Sequence, residues 1–261
     1  MTASSHRAQP PVSAAVVCRR LESLAPLGPA SLGLLLCLDD LQTHEAGCEL
    51  VSERAPHFPS RFLISGWAAR VRWLADGRRQ ILGFLLPGDG IGLCLRPHPL
   101  ALATTVALTP LVTIDAEPVM RAVGGPAPPE DLAAAMQIAS SMDEAALLNQ
   151  VVRLGRQTAY ERMCHLLLEL YDRLSDVGLA EDQTFPMPLT QELVSDALGL
   201  SVVHVNRILQ QLRREGLLDL RTGRASLLDI EQLRDIADYE RPQPSRWRSF
   251  PGSQPMSEAP A

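Results

Sequence analysis

Pro188-Leu-Thr-Gln-Glu-Leu-Val-Ser-Asp-Ala-Leu-Gly-Leu-Ser-Val-Val-His-Val-Asn-Arg-Ile-Leu-Gln-Gln-Leu-Arg-Arg-Glu-Gly216 is the stretch that decides how this chain reads. It divides into two short helices around a glycine. Thr190 is placed to cap the first helix, because its hydroxyl can accept one of the unpaired backbone N–H groups of the first turn. Leu193, Val194, Ala197 and Leu198 recur at helical spacing and give that helix a buried face. Gly199 follows at once and can take the left-handed conformation that ends a helix. Ser201 caps the second helix, whose inward stripe is Val205, Ile208, Leu209 and Leu212. Two helices joined this way read as a helix-turn-helix.

The outward residues of the second helix carry the chemistry. Val202, Val203, Asn206 and Arg207 lie near its N-terminus, with Gln210 one turn later. Such a recognition helix touches base edges with its first residues. Arg can bond guanine through two hydrogen bonds, Asn can do the same with adenine, and Val can pack on a thymine methyl. Ser201 and His204 suit phosphates, and Arg213 and Arg214 lie where the helix would leave the groove. Beyond Gly216, two apolar runs flank Thr222-Gly223 and predict a hairpin wing, with Arg221 and Arg224 at its tip. A last helix is expected over about Ile230 to Tyr239. Helix pairs around a glycine also occur in proteins that never meet DNA. The wing and the Arg- and Asn-bearing helix start favour DNA.

The formal net charge of -6 excludes a generic binder of polyanions. The basic character is local: between Ser201 and Arg224 stand five arginines against Glu215 and Asp219. All 24 basic residues are Arg, a chain-wide bias that carries no functional reading. The longest apolar run, around Leu34 to Leu38, is too short to span a bilayer, and the polar start predicts no signal peptide. A cytoplasmic location without membrane association is expected. The five cysteines, Cys18, Cys37, Cys48, Cys94 and Cys164, are odd in number and scattered, which argues against a disulfide framework. Residues 1–15 and 241–261 are rich in Pro, Ser and Ala and read as disordered tails.

Upstream of the helix pair, Arg61 to Asp115 reads as β-rich. Asp76-Gly77 is a hairpin signal, Pro87-Gly-Asp-Gly90 a second tight turn, and Leu100 to Ile114 strand-like. A small antiparallel barrel or roll is expected. From about Pro129 to Leu154 helix formers dominate. Leu132, Ala135, Ala139, Met142, Ala146 and Asn149 give a seam that suits pairing with a second copy. Gly155 is expected to break this helix.

Roll, long helix and winged helix-turn-helix, in that order, resemble the Crp/Fnr superfamily of bacterial transcription regulators. Gly66, Asp76-Gly77-Arg78-Arg79-Gln80-Ile81 and Pro87-Gly88-Asp89 look like the roll's turn motifs. Leu189-Thr190-Gln191-Glu192 with Leu200-Ser201-Val202-Val203-His204-Val205-Asn206-Arg207 looks like the family's DNA-binding motif. The resemblance implies an α+β chain in five parts. These are a tail over 1–15, a cyclic-nucleotide-binding-like sensor domain over 16–125, a dimerisation helix over 126–154, a winged helix-turn-helix over 155–240, and a tail over 241–261. It implies a homodimer on a palindromic promoter, with RNA polymerase as a further partner if the protein activates. It puts Ser201, Val202, Val203, Asn206 and Arg207 at the DNA, and the expected DNA-binding set is completed by Thr190, Gln191, His204, Gln210, Arg213, Arg221 and Arg224. Many members carry Glu where Val203 stands, so the family's usual half-site does not transfer.

Cyclic-nucleotide-binding members have a Glu after the Pro-Gly-Asp turn and then an Arg-Ser or Arg-Thr pair. Here those positions hold about Leu93 and Ala101, and Arg96 stands in the wrong place, just before Pro97-His-Pro99. An anion needs such a charged partner, so control by cAMP is not expected. Nor is a cofactor. An iron–sulfur cluster needs four converging thiolates, and the grouping is absent. Heme held by Cys94 or His98 is the other alternative by analogy with relatives. The rival function is a small-molecule or cyclic-nucleotide sensing module whose C-terminal domain mediates protein contacts. An enzyme is not expected: there is no Ser/His/Asp arrangement, metal-ligand spacing or phosphate loop.

Overall fold

The computed structural model describes residues 14–95 and 99–242. Arg96 and His98 therefore lie outside the described residues. Two short helices, α1 (Ala15–Glu22) and α2 (Pro29–Leu36), open the chain. The strands that follow are β1 (Leu41–His44), β2 (Glu49–Val51), β3 (Arg61–Ser65), β4 (Ala68–Trp73), β5 (Arg79–Leu85), β6 (Gly90–Ile91), β7 (Thr104–Ala107) and β8 (Leu111–Asp115). They form two antiparallel four-stranded sheets, in the orders β1-β8-β3-β6 and β2-β7-β4-β5. Val51, Leu63, Ala68, Leu85, Ile91, Ala107 and Leu111 fill the space between them. The expected roll is present, and it begins earlier than the sequence reading placed it: β1 and β2 precede Arg61.

Two glycines make the roll's turns possible. Gly66 joins β3 to β4 at φ +85°, and a Cβ there would lie 2.4 Å from the Pro110 carbonyl oxygen. Gly88, in the Pro87-Gly-Asp turn, has φ +96° and sits against Arg20. Both positions demand the one residue without a Cβ.

Past the roll come α3 (Glu117–Val123) and the long α4 (Glu130–Arg156), then α5 (Ala159–Asp176) and β9 (Thr184–Pro186). The chain continues with α6 (Gln191–Leu198), α7 (Val202–Arg214), β10 (Leu218–Arg221), β11 (Arg224–Leu227) and α8 (Ile230–Ala237). The α4 helix runs through Gly155 and ends at Gln157, whose backbone is extended. The expected break at Gly155 is therefore corrected. A glycine inside a helix costs only about 1 kcal/mol, and the sharper signal lies just beyond. Thr158 and Glu161 form a reciprocal capping box that starts α5.

The seam expected on α4 is also corrected. Leu132 and Ala135 are fully buried in the chain's own core, beside Phe62 and Ile114, and Ala139 and Met142 pack against the same cluster. The apolar side chains that α4 leaves in the open are Leu147, Leu148, Val151 and Val152. The start of α2 is clasped to α4 by Asp131, whose carboxylate accepts from the Gly28 N–H (2.7 Å) and the Ser31 hydroxyl (2.8 Å). Those two bonds hold the Asp131 pKa below the usual carboxylate value. Of the expected tails, residues 1–13 and 243–261 lie outside the described residues. Ala14 is buried and Ala15 begins α1, while Arg241 ion-pairs with Asp176 and faces Asp172 at 4.0 Å.

Candidate nucleic-acid interface

The sequence places two caps and a turn, and all three are in place. Thr190 Oγ1 accepts from the Leu193 N–H (3.2 Å), and Ser201 Oγ accepts from the His204 N–H (3.2 Å). Between them Gly199 ends α6 in the left-handed conformation, with φ 63°. Each cap uses the oxygen as acceptor and leaves the hydroxyl proton free to donate outward. Gln191, the first residue of α6, is half-buried.

Val205, Ile208, Leu209 and Leu212 turn α7 inward and are buried. Opposite them Val203, Arg207, Gln210 and Arg214 follow one another at i, i+4, i+7 and i+11, the spacing of a single helix face. Val203 is 70% exposed and Val202 40%. Asn206 flanks this line, and the Gln210 Nε2 donates to its Oδ1 (3.2 Å). His204 is exposed and begins the second flank. The Arg207 guanidinium has no ion-pair or hydrogen-bond partner among the described residues. No acidic residue lies anywhere in α7. The helix thus presents donors and methyl groups, with the positive end of its dipole at the Val202 terminus.

The wing is a tight hairpin. Arg221 faces Arg224 across Thr222-Gly223, and Gly223 has φ 72°. The Gly223 carbonyl accepts from the Met187 N–H (2.8 Å), which fixes the tip. Arg224 points out, whereas Arg221 is paired with Asp219 at 2.7 Å on an exposed surface. Arg213 Nη2 donates to the Leu220 carbonyl (3.1 Å), tying the recognition helix to the wing. Of the two arginines expected where the helix leaves the groove, Arg214 stands on the outward line and Arg213 is turned to the wing.

Several contacts that position this surface were not read from the sequence. The strand β9 pairs with β11 and makes the wing a three-stranded sheet in the order β10-β11-β9. The helix α6 lies directly on β5 of the roll. Arg79 grips Asp196 through both Nε (2.9 Å) and Nη2 (2.6 Å), while stacking 5.4 Å over the Trp73 ring. The Ala197 carbonyl accepts from Gln150 Nε2 (2.7 Å) and Gln80 Nε2 (3.3 Å). Gln150 in turn accepts from Arg153 Nη1 (3.0 Å), and Arg153 pairs with Glu169 of α5. Burial pushes the Glu169 pKa upward, and the Arg153 and Arg173 guanidiniums more than offset it, so the group stays charged. Beneath these bonds one apolar cluster contains Ile81 and Phe84 of the roll together with Val194, Ala197, Leu198 and Val205.

The cysteines are all free thiols. Cys164 is buried in the shared core, where burial pushes its pKa up to about 12. Cys18 is buried in the cluster under α1, Cys37 is exposed, and Cys48 and Cys94 are half-buried.

A capped helix pair with a wing, set beside a two-sheet roll and a long helix, defines the class of DNA-binding regulators with a sensor-like domain. Residues 161–236 match the family described as the Crp-like helix-turn-helix domain. The nitrogen fixation regulation protein FixK of Bradyrhizobium diazoefficiens is 30% identical over 181 residues, spanning 67% of this chain and 72% of that one. The transcriptional activator protein FnrL of Cereibacter sphaeroides is 32% identical over 171 residues, spanning 60% and 64% respectively. Among solved structures, FixK2 from Bradyrhizobium japonicum superposes with a TM-score of 0.65 at 25% identity, over 77% of this chain and 98% of that one. The chain belongs to the Crp/Fnr family of DNA-binding transcription regulators; that family consists of regulators rather than enzymes. No helix among the described residues is long and apolar enough to cross a membrane.

Proposed function

We propose that this regulator binds a two-fold symmetric promoter site as a homodimer and reads it through Val202, Val203, Asn206, Arg207 and Gln210. Thr190, Gln191, Ser201, His204, Arg213, Arg221 and Arg224 hold phosphates around that helix, and Arg214 joins them. The observation that carries the reading is the outward line of α7: an unpaired Arg207 on a helix without acids, pre-set by two caps. A guanidinium in that setting costs nothing to detach from a partner and suits the O6 and N7 acceptors of guanine.

The dimer is supported by Leu148 and Val151, which are 62% and 68% exposed on α4 with Leu147 and Val152 beside them. Four neighbouring apolar side chains at i, i+1, i+4 and i+5 make a stripe that a second α4 can cover. Two-fold pairing of helix-turn-helix units matches two half-sites. The domain limits follow: a sensor unit up to about residue 125, a pairing helix, and a DNA-binding unit from Thr158.

Control is independent of cyclic nucleotides. Where a cyclic phosphate would need a cation and a ribose a carboxylate, Leu93 packs against the apolar cluster under α1, and Ala101 is buried between the sheets. The test is selection of binding sites from random duplex, followed by gel shift with Arg207→Ala. The substitution is expected to remove sequence-specific binding at unchanged thermal stability. Unchanged affinity for the selected site sinks the reading, and so does a requirement for added cAMP.

A further inference from the structure

We infer that Val203, backed by Val202, is a thymine-methyl reader that sets the specificity of this helix at one base pair of each half-site. The inference rests on the base-reading role of α7 proposed above. Beyond Gly155 the only exposed large apolar side chains among the described residues are Val202, Val203 and Leu228, and the first two stand side by side at the start of α7. Neither belongs to the core of the domain, so folding does not require them there. Two β-branched residues in the first turn of a helix have their methyl groups held close to one rotamer, which presents a fixed apolar surface.

The neighbours of that surface select its partner. The face holds the Arg207 donors, and the Asn206 Oδ1 already accepts from Gln210. No carboxylate is present in α7 to accept from the amino group of cytosine. In the major groove cytosine shows only that donor, whereas thymine shows an acceptor beside a methyl group. Methyls and donors therefore match thymine and leave cytosine's amino group unpaired. Val203 and Arg207 are four residues apart, a rise of about 6 Å. At about 3.4 Å per base step along a strand, the thymine lies about two base pairs from the guanine that Arg207 reads.

The experiment uses the full-length protein and a selected duplex in which each thymine is replaced in turn by deoxyuridine, with fluorescence anisotropy at fixed salt. Removing the methyl leaves every hydrogen-bonding group in place. The expected result is one symmetry-related thymine per half-site whose loss of methyl weakens binding about fourfold, the value of one buried carbon group. Val203→Ala should bind thymine and deoxyuridine duplexes equally while keeping its dependence on the guanine. The inference is overturned if no thymine responds, or if Val203→Ala keeps the discrimination. A selection that enriches no sequence at all overturns the base-reading role together with it, and is distinguishable on that ground.

Discussion

Gln150→Leu is the substitution that most directly probes how the reading head is held. Gln150 is 8% exposed at the point where β5, α4 and α6 meet. Its Nε2 donates to the Ala197 carbonyl at 2.7 Å, a group that ends α6 and has only Gln80 as a second donor. Its Oε1 accepts from Arg153 Nη1. Arg153 is 3% exposed and already carries one buried N–H, Nε, without a partner. Leucine keeps the volume and removes these two bonds together with a long third one, from Nε2 to the Ile81 carbonyl at 3.5 Å. Losing a neutral bond costs about 1 kcal/mol, and stranding a buried charged donor about 2 kcal/mol more. Part of this is offset by the apolar side chain, which leaves a net loss of about 2–3 kcal/mol. For a chain of this size that is a fall in Tm of roughly 5–10 °C. Thermal unfolding followed by circular dichroism reads it. A fall of under about 2 °C would mean that the junction is held by its apolar contacts alone, and the reasoning from hydrogen bonds would be wrong.

Two further outcomes follow from other parts of the molecule. If the proposed pairing through α4 holds, the parent protein sediments as a dimer at micromolar concentration in analytical ultracentrifugation and Leu148→Asp with Val151→Asp sediments as a monomer, with little change in the unfolding of the protomer, because both side chains are exposed in it; a variant that sediments as a dimer refutes the pairing face. His165 is buried, its Nε2 has no partner, and burial followed by the nearby Arg153 charge lowers its pKa from 6.5 to about 4. The unfolded chain therefore takes up a proton as pH falls through 6.5 that the folded chain refuses down to about 4, so stability is full above 6.5 and is lost between those values. The loss amounts to about 3 kcal/mol, and urea titrations of His165→Phe should show that part of the acid slope removed.

Local chemistry was legible and long-range packing was not. Thr190, Gly199 and Ser201 announce the helix pair because each cap and turn is settled within four residues. Asp76-Gly77 and Thr222-Gly223 announce hairpins for the same reason. The helix α2 gave no such signal: Pro-Ala-Ser-Leu-Gly-Leu-Leu-Leu is apolar on every side and has no stripe, and its clasp, Asp131, is a hundred residues away in sequence. The edge strand β1, Leu-Gln-Thr-His, has no inside-out alternation because it is largely exposed. On α4 two apolar faces compete, and nothing local tells which one the roll will cover. The contacts of Arg79 and Gln80 with α6 span 117 residues, so only the folded chain brings them together.

The apolar cluster shared by Ile81, Phe84, Val194, Ala197 and Leu198 has a thermodynamic corollary. Swinging the reading head away from the roll would uncover several such side chains, each worth about 1.5–3 kcal/mol when fully buried. An equilibrium that starts that far toward the docked arrangement moves only under a ligand with a matching preference, on the order of 10⁴-fold between the two states for about 5.5 kcal/mol. A weakly discriminating effector, however tightly it bound, would leave the head where it is. Whatever reorients this regulator by changing its shape must therefore be selective for the undocked form.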